Sequence, residues 1–336
     1  MENYQKIIQA FIDGEVDGVD EIGTKPTHIE TQISHVFLFP ATVYKICKRD
    51  NTFFNEHFRD LSEKESRFAF YEEDFSVNNY FSPDVYLGLY GVSVVNDKVQ
   101  LNKEVAGAED IVMKMKKINL SNNFSKLLHE KTLTLDDFFT IGFQQTKEVA
   151  SYPNQPKTDE SYYEFFRKKL NDVRDWMYSA PDYFSRDEVD EIIKEMQVFL
   201  EREKASFENI SSDKYVITID NHSDNIFYEN GKILFLDIYP PKKDWLIASP
   251  LINIYRPATD IFILAGEECA RSFINGCKEY YSEMDESHEP FYFIYSAAIQ
   301  GVSLHNLSQS NEIKKQDSIL YKNFILKNIE KLKQAK

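Results

Sequence analysis

The strongest constraint on the fold is a change of pattern near residue 119. Before it, strand-like runs dominate, and after it nearly every segment has the spacing of a helix. A short amphipathic helix opens the chain at 3–13, with Ile7, Ile8, Phe11 and Ile12 on one side and Gly14 as its stop. Residues 29–39 and 43–48 read as two strands joined through Pro40, Ala41 and Thr42. Residues 58–81 contain no breaker and predict one long helix, ended by Ser82-Pro83 because the residue before a proline is pushed out of the helical region. Residues 84–95 and 99–101 flank Asn96-Asp97, a hairpin turn, and 110–118 alternates as a further strand. Segments 121–130, 134–151, 159–179 and 186–207 are helical in pattern, and helices return through residue 334 after a β interlude at 215–219 and 226–237. A β-rich lobe at 1–118 followed by a helical lobe at 119–336 is an α+β arrangement.

Charge and composition then exclude several classes. With 55 acidic against 39 basic residues the net charge is −16, a field that repels polyanions, so nucleic acid is not an expected partner. No apolar run approaches 18 residues; the richest, around Trp245–Tyr255, is interrupted by Ser249, Pro250 and Asn253, so no membrane span is expected. The first residues lack a basic stretch followed by an apolar one, so no secretory signal is expected. Three scattered cysteines, Cys47, Cys269 and Cys277, suit reduced thiols in a cytoplasmic protein, and no short Cys/His spacing suggests a four-ligand zinc site.

The chemistry concentrates in the β interlude. Apolar strand residues surround a polar loop holding Asp220, His222, Asp224 and Asn225, and a hairpin with Asn230-Gly231 at its tip delivers Asp237. A carboxylate, an amide and a second carboxylate on one short β platform suit phosphoryl transfer: Asn225 and Asp237 are hard oxygen donors for Mg²⁺, and Asp220 can take the proton of an attacking hydroxyl. The interval Asp220-x₄-Asn225 is that of a kinase catalytic loop. Alone it is weak, and its position between strands, with an Asp beyond a closed hairpin, makes it more specific. In the β-rich lobe Lys45 sits inside an apolar strand, where a lysine either faces solvent or finds an anion, and the next helix offers Glu63, Glu65, Glu72, Glu73 and Asp74. His222 reads either as a brace of the loop or as a residue near a transferred phosphate. Arg256 and Asp260 either buttress the loop or merely begin a helix.

These segments resemble the aminoglycoside phosphotransferase superfamily, which includes choline kinases. The likeness runs through Glu30-Thr-Gln-Ile-Ser-His-Val-Phe-Leu, Val43-Tyr-Lys-Ile, Glu72-Glu-Asp-Phe-Ser-Val-Asn, Ser82-Pro-Asp-Val-Tyr-Leu-Gly and Val112-Met-Lys-Met-Lys-Lys, then Asp220-Asn-His-Ser-Asp-Asn-Ile and Leu236-Asp237. It covers most of 29–118 and 215–262. The resemblance implies a protein-kinase-like two-lobe fold that uses ATP and Mg²⁺ to phosphorylate a hydroxyl of a small molecule. It implies that Lys45 holds the α- and β-phosphates, oriented by Glu73, with Asp74 the alternative. The strand through Met113 and Met115 would lead to a hinge whose backbone meets adenine. Asp220 would be the base, and Asn225 and Asp237 the metal ligands.

Two departures bear on activity. The superfamily usually writes His-Gly-Asp before its base, where this chain has Thr218-Ile219-Asp220, and the positions after Asp237 that often carry another acid are Tyr239 and Pro240. No glycine-rich loop precedes Lys45. The competing expectation is therefore a degenerate kinase acting as a binding protein, and a third is nucleotidyl transfer on the same fold.

Overall fold

The computed structural model describes residues 2–31, 33–209, 216–240, 242–281, 286–308 and 311–334. They form two compact units, Met1–Leu120 with Phe235–Lys243, and Ser121–Leu234 with Asp244–Lys336. The division near residue 120 lies two residues from the expected one. The segment carrying Asp237, expected with the helical lobe, returns instead to the first unit.

In the first unit α1 (Glu2–Asp13) precedes a six-stranded antiparallel sheet of order β1-β2-β3-β6-β4-β5. Its strands are β1 (Thr27–Glu30), β2 (Ser34–Leu38), β3 (Thr42–Cys47), β4 (Tyr86–Val95), β5 (Lys98–Asn102) and β6 (Asp110–Lys116). The single strand expected at 29–39 is two. The 96–97 turn is confirmed, with both residues at positive φ (48° and 63°), as a two-residue hairpin of matching twist requires.

The long helix expected at 58–81 is also two, α2 (Thr52–His57) and α3 (Lys64–Phe81). Asp60 interrupts it by accepting the backbone N–H and hydroxyl of Ser62, a local turn that competes with helix. Side chains alternate across β3. Tyr44 and Ile46 join a core with Tyr4, Ile7 and Phe11 of α1, so Lys45 points to the opposite face, where α3 packs. Arg67 of α3 and Arg49 both bind the wholly buried carboxylate of Asp110, at 2.8 and 2.6 Å.

The second unit contains α4 (Phe124–Glu130), α5 (Leu135–Ala150), α6 (Tyr162–Tyr178), α7 (Arg186–Arg202) and α8 (Lys204–Glu208). After the β interlude come α9 (Pro250–Leu264), α10 (Glu267–Lys278), α11 (Glu289–Leu307) and α12 (Glu312–Gln334). Thr134 with Asp137, and Ser185 with Glu188, close capping boxes that start α5 and α7. Helices α5 and α10 approach through Gly142 and Gly276. A Cβ on either would lie 2.1 or 2.0 Å from a facing carbonyl oxygen, so neither position has room for a side chain.

The interlude consists of β7 (Val216–Ile217), β8 (Ile226–Glu229), β9 (Lys232–Phe235) and β10 (Ile247–Ala248). Tyr215, expected to start β7, lies outside the described residues. β7 pairs with β10, while β8 and β9 form a separate hairpin turning at Asn230 and Gly231, both at positive φ. Among the described residues no helix is long and apolar enough to cross a membrane.

Candidate active site

Two groups of polar side chains carry the expected site residues. The first surrounds Lys45. Its side chain is 9% exposed, yet its ammonium pairs with Asp237 and lies 4.0 Å from Asp74 of α3. Burial disfavours the ammonium, and the two carboxylates outweigh it, so the Lys45 pKa is raised. The Asp74 carboxyl is pushed up by desolvation, against the opposing pull of Lys45.

The expected partner Glu73 points elsewhere, accepting from Arg59 at 2.8 Å and from the Tyr239 hydroxyl at 2.5 Å. The helix repeat explains the difference. Arg67, Phe70, Tyr71, Asp74, Val77, Asn78 and Phe81 form the buried stripe of α3 at spacings of three and four, and Glu73 falls off it.

Asp237 occupies the left-handed region at φ 54°, a conformation Asp tolerates better than most residues. Its neighbours hold it there. The Asp237 backbone N–H donates to the Tyr86 hydroxyl at 2.8 Å, and the Ile238 N–H donates to Asn78 Oδ1 at 3.0 Å. Ser82 exchanges hydrogen bonds with both backbone groups of Phe235, at 2.8 and 3.0 Å. The Asn78 amide also donates to Asp74 Oδ1, so one side chain ties the helix carboxylate to the Asp237 segment. Met113 pairs in register with Lys45, and Met115 with Val43, which places both beside the Lys45 strand.

The second group lies in the loop after β7. Asn253 of α9 pins the loop's entrance: its Oδ1 accepts the Ile219 N–H at 3.1 Å, its Nδ2 donates to the Ile217 carbonyl at 2.8 Å, and its own carbonyl accepts from Asn221 at 2.6 Å. Asp220 receives the Arg256 guanidinium at 2.5 Å. Burial would raise its pKa, but Arg256 and His222 overcome that and hold the carboxyl below the usual range. Asn225 donates its amide nitrogen to the Asp220 carbonyl at 2.8 Å.

The remaining loop residues are anchored as well. Asp260 accepts the Ser223 N–H at 2.7 Å and the Tyr321 hydroxyl, and Lys314 binds both oxygens of Asp224 at 2.7 and 2.6 Å. His222 sits 3.9 Å from Asp220 and from Asp224, between the two carboxylates. Arg256 and Asp260 thus buttress the loop, one of the two readings open from the sequence. Asn253, Lys314, Tyr321, Asn78 and Tyr86 were not singled out there, although Asn78 and Tyr86 end or lie within the segments that carried the family likeness.

No protein-family model matches the chain, and no curated protein matches it in sequence. Solved structures do match, and they define its class as the kinase-like fold shared by aminoglycoside phosphotransferases and choline kinases. A glucosamine kinase in complex with glucosamine, ADP and inorganic phosphate matches with TM-score 0.54 and 10% identity over 92% of this chain and 81% of that one. A choline kinase from Cryptosporidium parvum Iowa II matches with TM-score 0.52 and 10% identity over 99% and 95%. The GDP complex of an aminoglycoside 2'-phosphotransferase matches with TM-score 0.51 and 10% identity over 97% and 98%. At such identities the likeness is one of fold.

Proposed function

We propose that the chain is an ATP- and Mg²⁺-dependent phosphotransferase that passes the γ-phosphoryl group to a hydroxyl of a small molecule. The carrying observation is the Lys45 group: a buried strand lysine beside a helix carboxylate, with Asp237 held at left-handed backbone geometry next to it. Backbone strain of this kind concentrates at functional positions. In this reading Lys45 binds the α- and β-phosphates, and Asp74 takes the orienting role expected of Glu73. The chain after Met113 and Met115 supplies backbone groups to adenine.

Asp237 and Asn225 would hold Mg²⁺. A carboxylate and an amide oxygen are the hard donors that cation selects, so the residues fit it. When bound, Mg²⁺ neutralises charge on the phosphates. Asp220, kept ionised by Arg256, accepts a hydrogen bond from the acceptor hydroxyl and takes its proton as the new bond forms. Catalysis then rests on position and charge rather than on a covalent intermediate. The glucosamine kinase neighbour, bound to a sugar and ADP, supports an acceptor of comparable size.

A second reading, a degenerate kinase that binds without turnover, is favoured by Thr218. Its buried hydroxyl has no hydrogen-bond partner among the described residues, where the superfamily usually has histidine. Thermal shift with ATP, with and without Mg²⁺, addresses the shared requirement first. A Mg²⁺-dependent rise abolished in Asp237→Ala is expected, because a ligand of the native state stabilises by mass action. Phosphoryl transfer to a panel of alcohols, read by product mass, is then expected in wild type and absent in Asp220→Asn. No stabilisation at millimolar ATP would refute the kinase reading. Binding without transfer would favour the degenerate one, and a nucleotide-sized mass gain would mean nucleotidyl transfer.

A further inference from the structure

The edge of the first unit's sheet carries a group of side chains with no part in phosphoryl transfer. His28 and Glu30 are two apart on β1 and share one face. His35 on β2 stands directly opposite Glu30 in the antiparallel register, and His28 is its diagonal neighbour. One donor atom from each of the three lies within 4.8 Å of the others, and His28 Nε2 is 3.0 Å from His35 Nδ1. Two of the three side chains are imidazoles, and cross-strand pairing, not a chance meeting of mobile surface groups, sets their spacing. The support beneath is rigid: the His28 ring stacks on Phe37 at 5.0 Å, and Phe37 stacks on buried Phe11 at 4.8 Å.

We propose that His28, Glu30 and His35 form a binding site for one first-row divalent cation of the Zn²⁺ class. Two imidazoles with a carboxylate select such an ion over Mg²⁺ or Ca²⁺, which prefer all-oxygen sets. Two imidazole nitrogens on a tetrahedral Zn²⁺, each at about 2.05 Å, stand about 3.3 Å apart. The observed 3.0 Å needs only a small opening for an ion to replace the shared proton. Lys48 binds Glu30 Oε2 at 2.9 Å, and one Glu30 carboxylate oxygen lies within 4.8 Å of both imidazole donor atoms. With three protein ligands, water fills the fourth position. The bound ion joins β1, the outer strand, to β2, and so fastens the shorter edge strand of the six-stranded sheet. Because no ligand here belongs to the proposed phosphotransfer groups, this inference does not depend on that reading.

Calorimetric titration of chelator-stripped, full-length protein with Zn²⁺, and the visible spectrum with Co²⁺, test it. One ion per chain and a tetrahedral Co²⁺ spectrum are expected. His28→Ala and His35→Ala should each weaken binding by more than about tenfold, and Glu30→Gln less, while Asp237→Ala should not change it. Circular dichroism checks that each variant folds, and His28→Gln, which keeps a polar side chain over Phe37, replaces the alanine variant if that one does not. No stoichiometric binding, or binding undiminished in the folded His28 and His35 variants, overturns the site.

Discussion

Replacing Lys45 with Met tests the electrostatics of the first group most sharply. The change keeps a long apolar stem and removes the only cation paired with Asp74 among the described residues. Asp237 is 55% exposed on its side chain and can rehydrate, whereas Asp74 is 3% exposed and cannot. Asp74 then escapes by taking a proton. Holding that proton at a given pH costs about 1.36 kcal/mol per unit above an ordinary Asp pKa of about 3.9, so the penalty felt through Asp74 is capped near 4 kcal/mol at pH 7 and near 1.5 kcal/mol at pH 5.

The sign follows from the direction of the shift. A carboxyl whose folded pKa is raised binds more protons in the native state, so stability falls as pH climbs from the unfolded pKa through the folded one. Because the Asp74 pKa is already raised with Lys45 in place, wild type carries part of this penalty, so urea unfolding should show Lys45→Met destabilised through Asp74 by no more than about 1.5 kcal/mol at pH 7 and by almost nothing at pH 5. Adding Asp74→Asn should restore most of the loss at pH 7 and remove its pH dependence. A deficit equal at both pH values, or one that Asp74→Asn fails to relieve, would refute the coupling.

Asn253→Ala deprives the buried Ile219 N–H and Ile217 carbonyl of their side-chain partner, and should cost about 2–4 kcal/mol in urea unfolding; a loss under about 0.5 kcal/mol would mean the loop repacks freely. Arg256→Ala removes the cation that keeps the Asp220 pKa down, so the acidic limb of the kcat/KM profile should move to higher pH. A limb that stays put, or moves to lower pH, would show that Asp220 is not the group titrating.

Much of the fold was legible because its signals are local. Turn chemistry at Asn96-Asp97 and Asn230-Gly231 gave both hairpins, and their backbone angles need little tertiary help. The long helix failed at Asp60-Ser62, where side chains accept and offer backbone hydrogen bonds as readily as a helix does. The partner of β7 was not foreseen for another reason: β7 has only two paired residues, and β10 lies some thirty positions away, so no local pattern could report that pairing. The return of Phe235–Lys243 to the first unit is likewise non-local, made by hydrogen bonds to Ser82, Tyr86 and Asn78.

The choice between Glu73 and Asp74 was decidable from sequence. The stripe through Phe70, Tyr71, Val77 and Phe81 passes over position 74 and misses 73, so a helical count assigns the buried acid to Asp74. That a carboxylate lies on the buried face is itself the signal, because such a group persists there only with a cation or hydrogen-bond donors to meet it, and the strand lysine is that cation. The residues around Asp220 offered no such rule. Asn253, Lys314 and Tyr321 are distant in sequence, and each is an ordinary polar residue of a helix until the chain folds. A buried polar loop needs as many partners as it has unsatisfied groups, so the Asp-rich run at 220–225 predicts that partners exist without naming them. Asn253 supplies three hydrogen bonds to the backbone and side chains leading into that run, and so holds rigid the approach to Asp220 beside a position where histidine is absent.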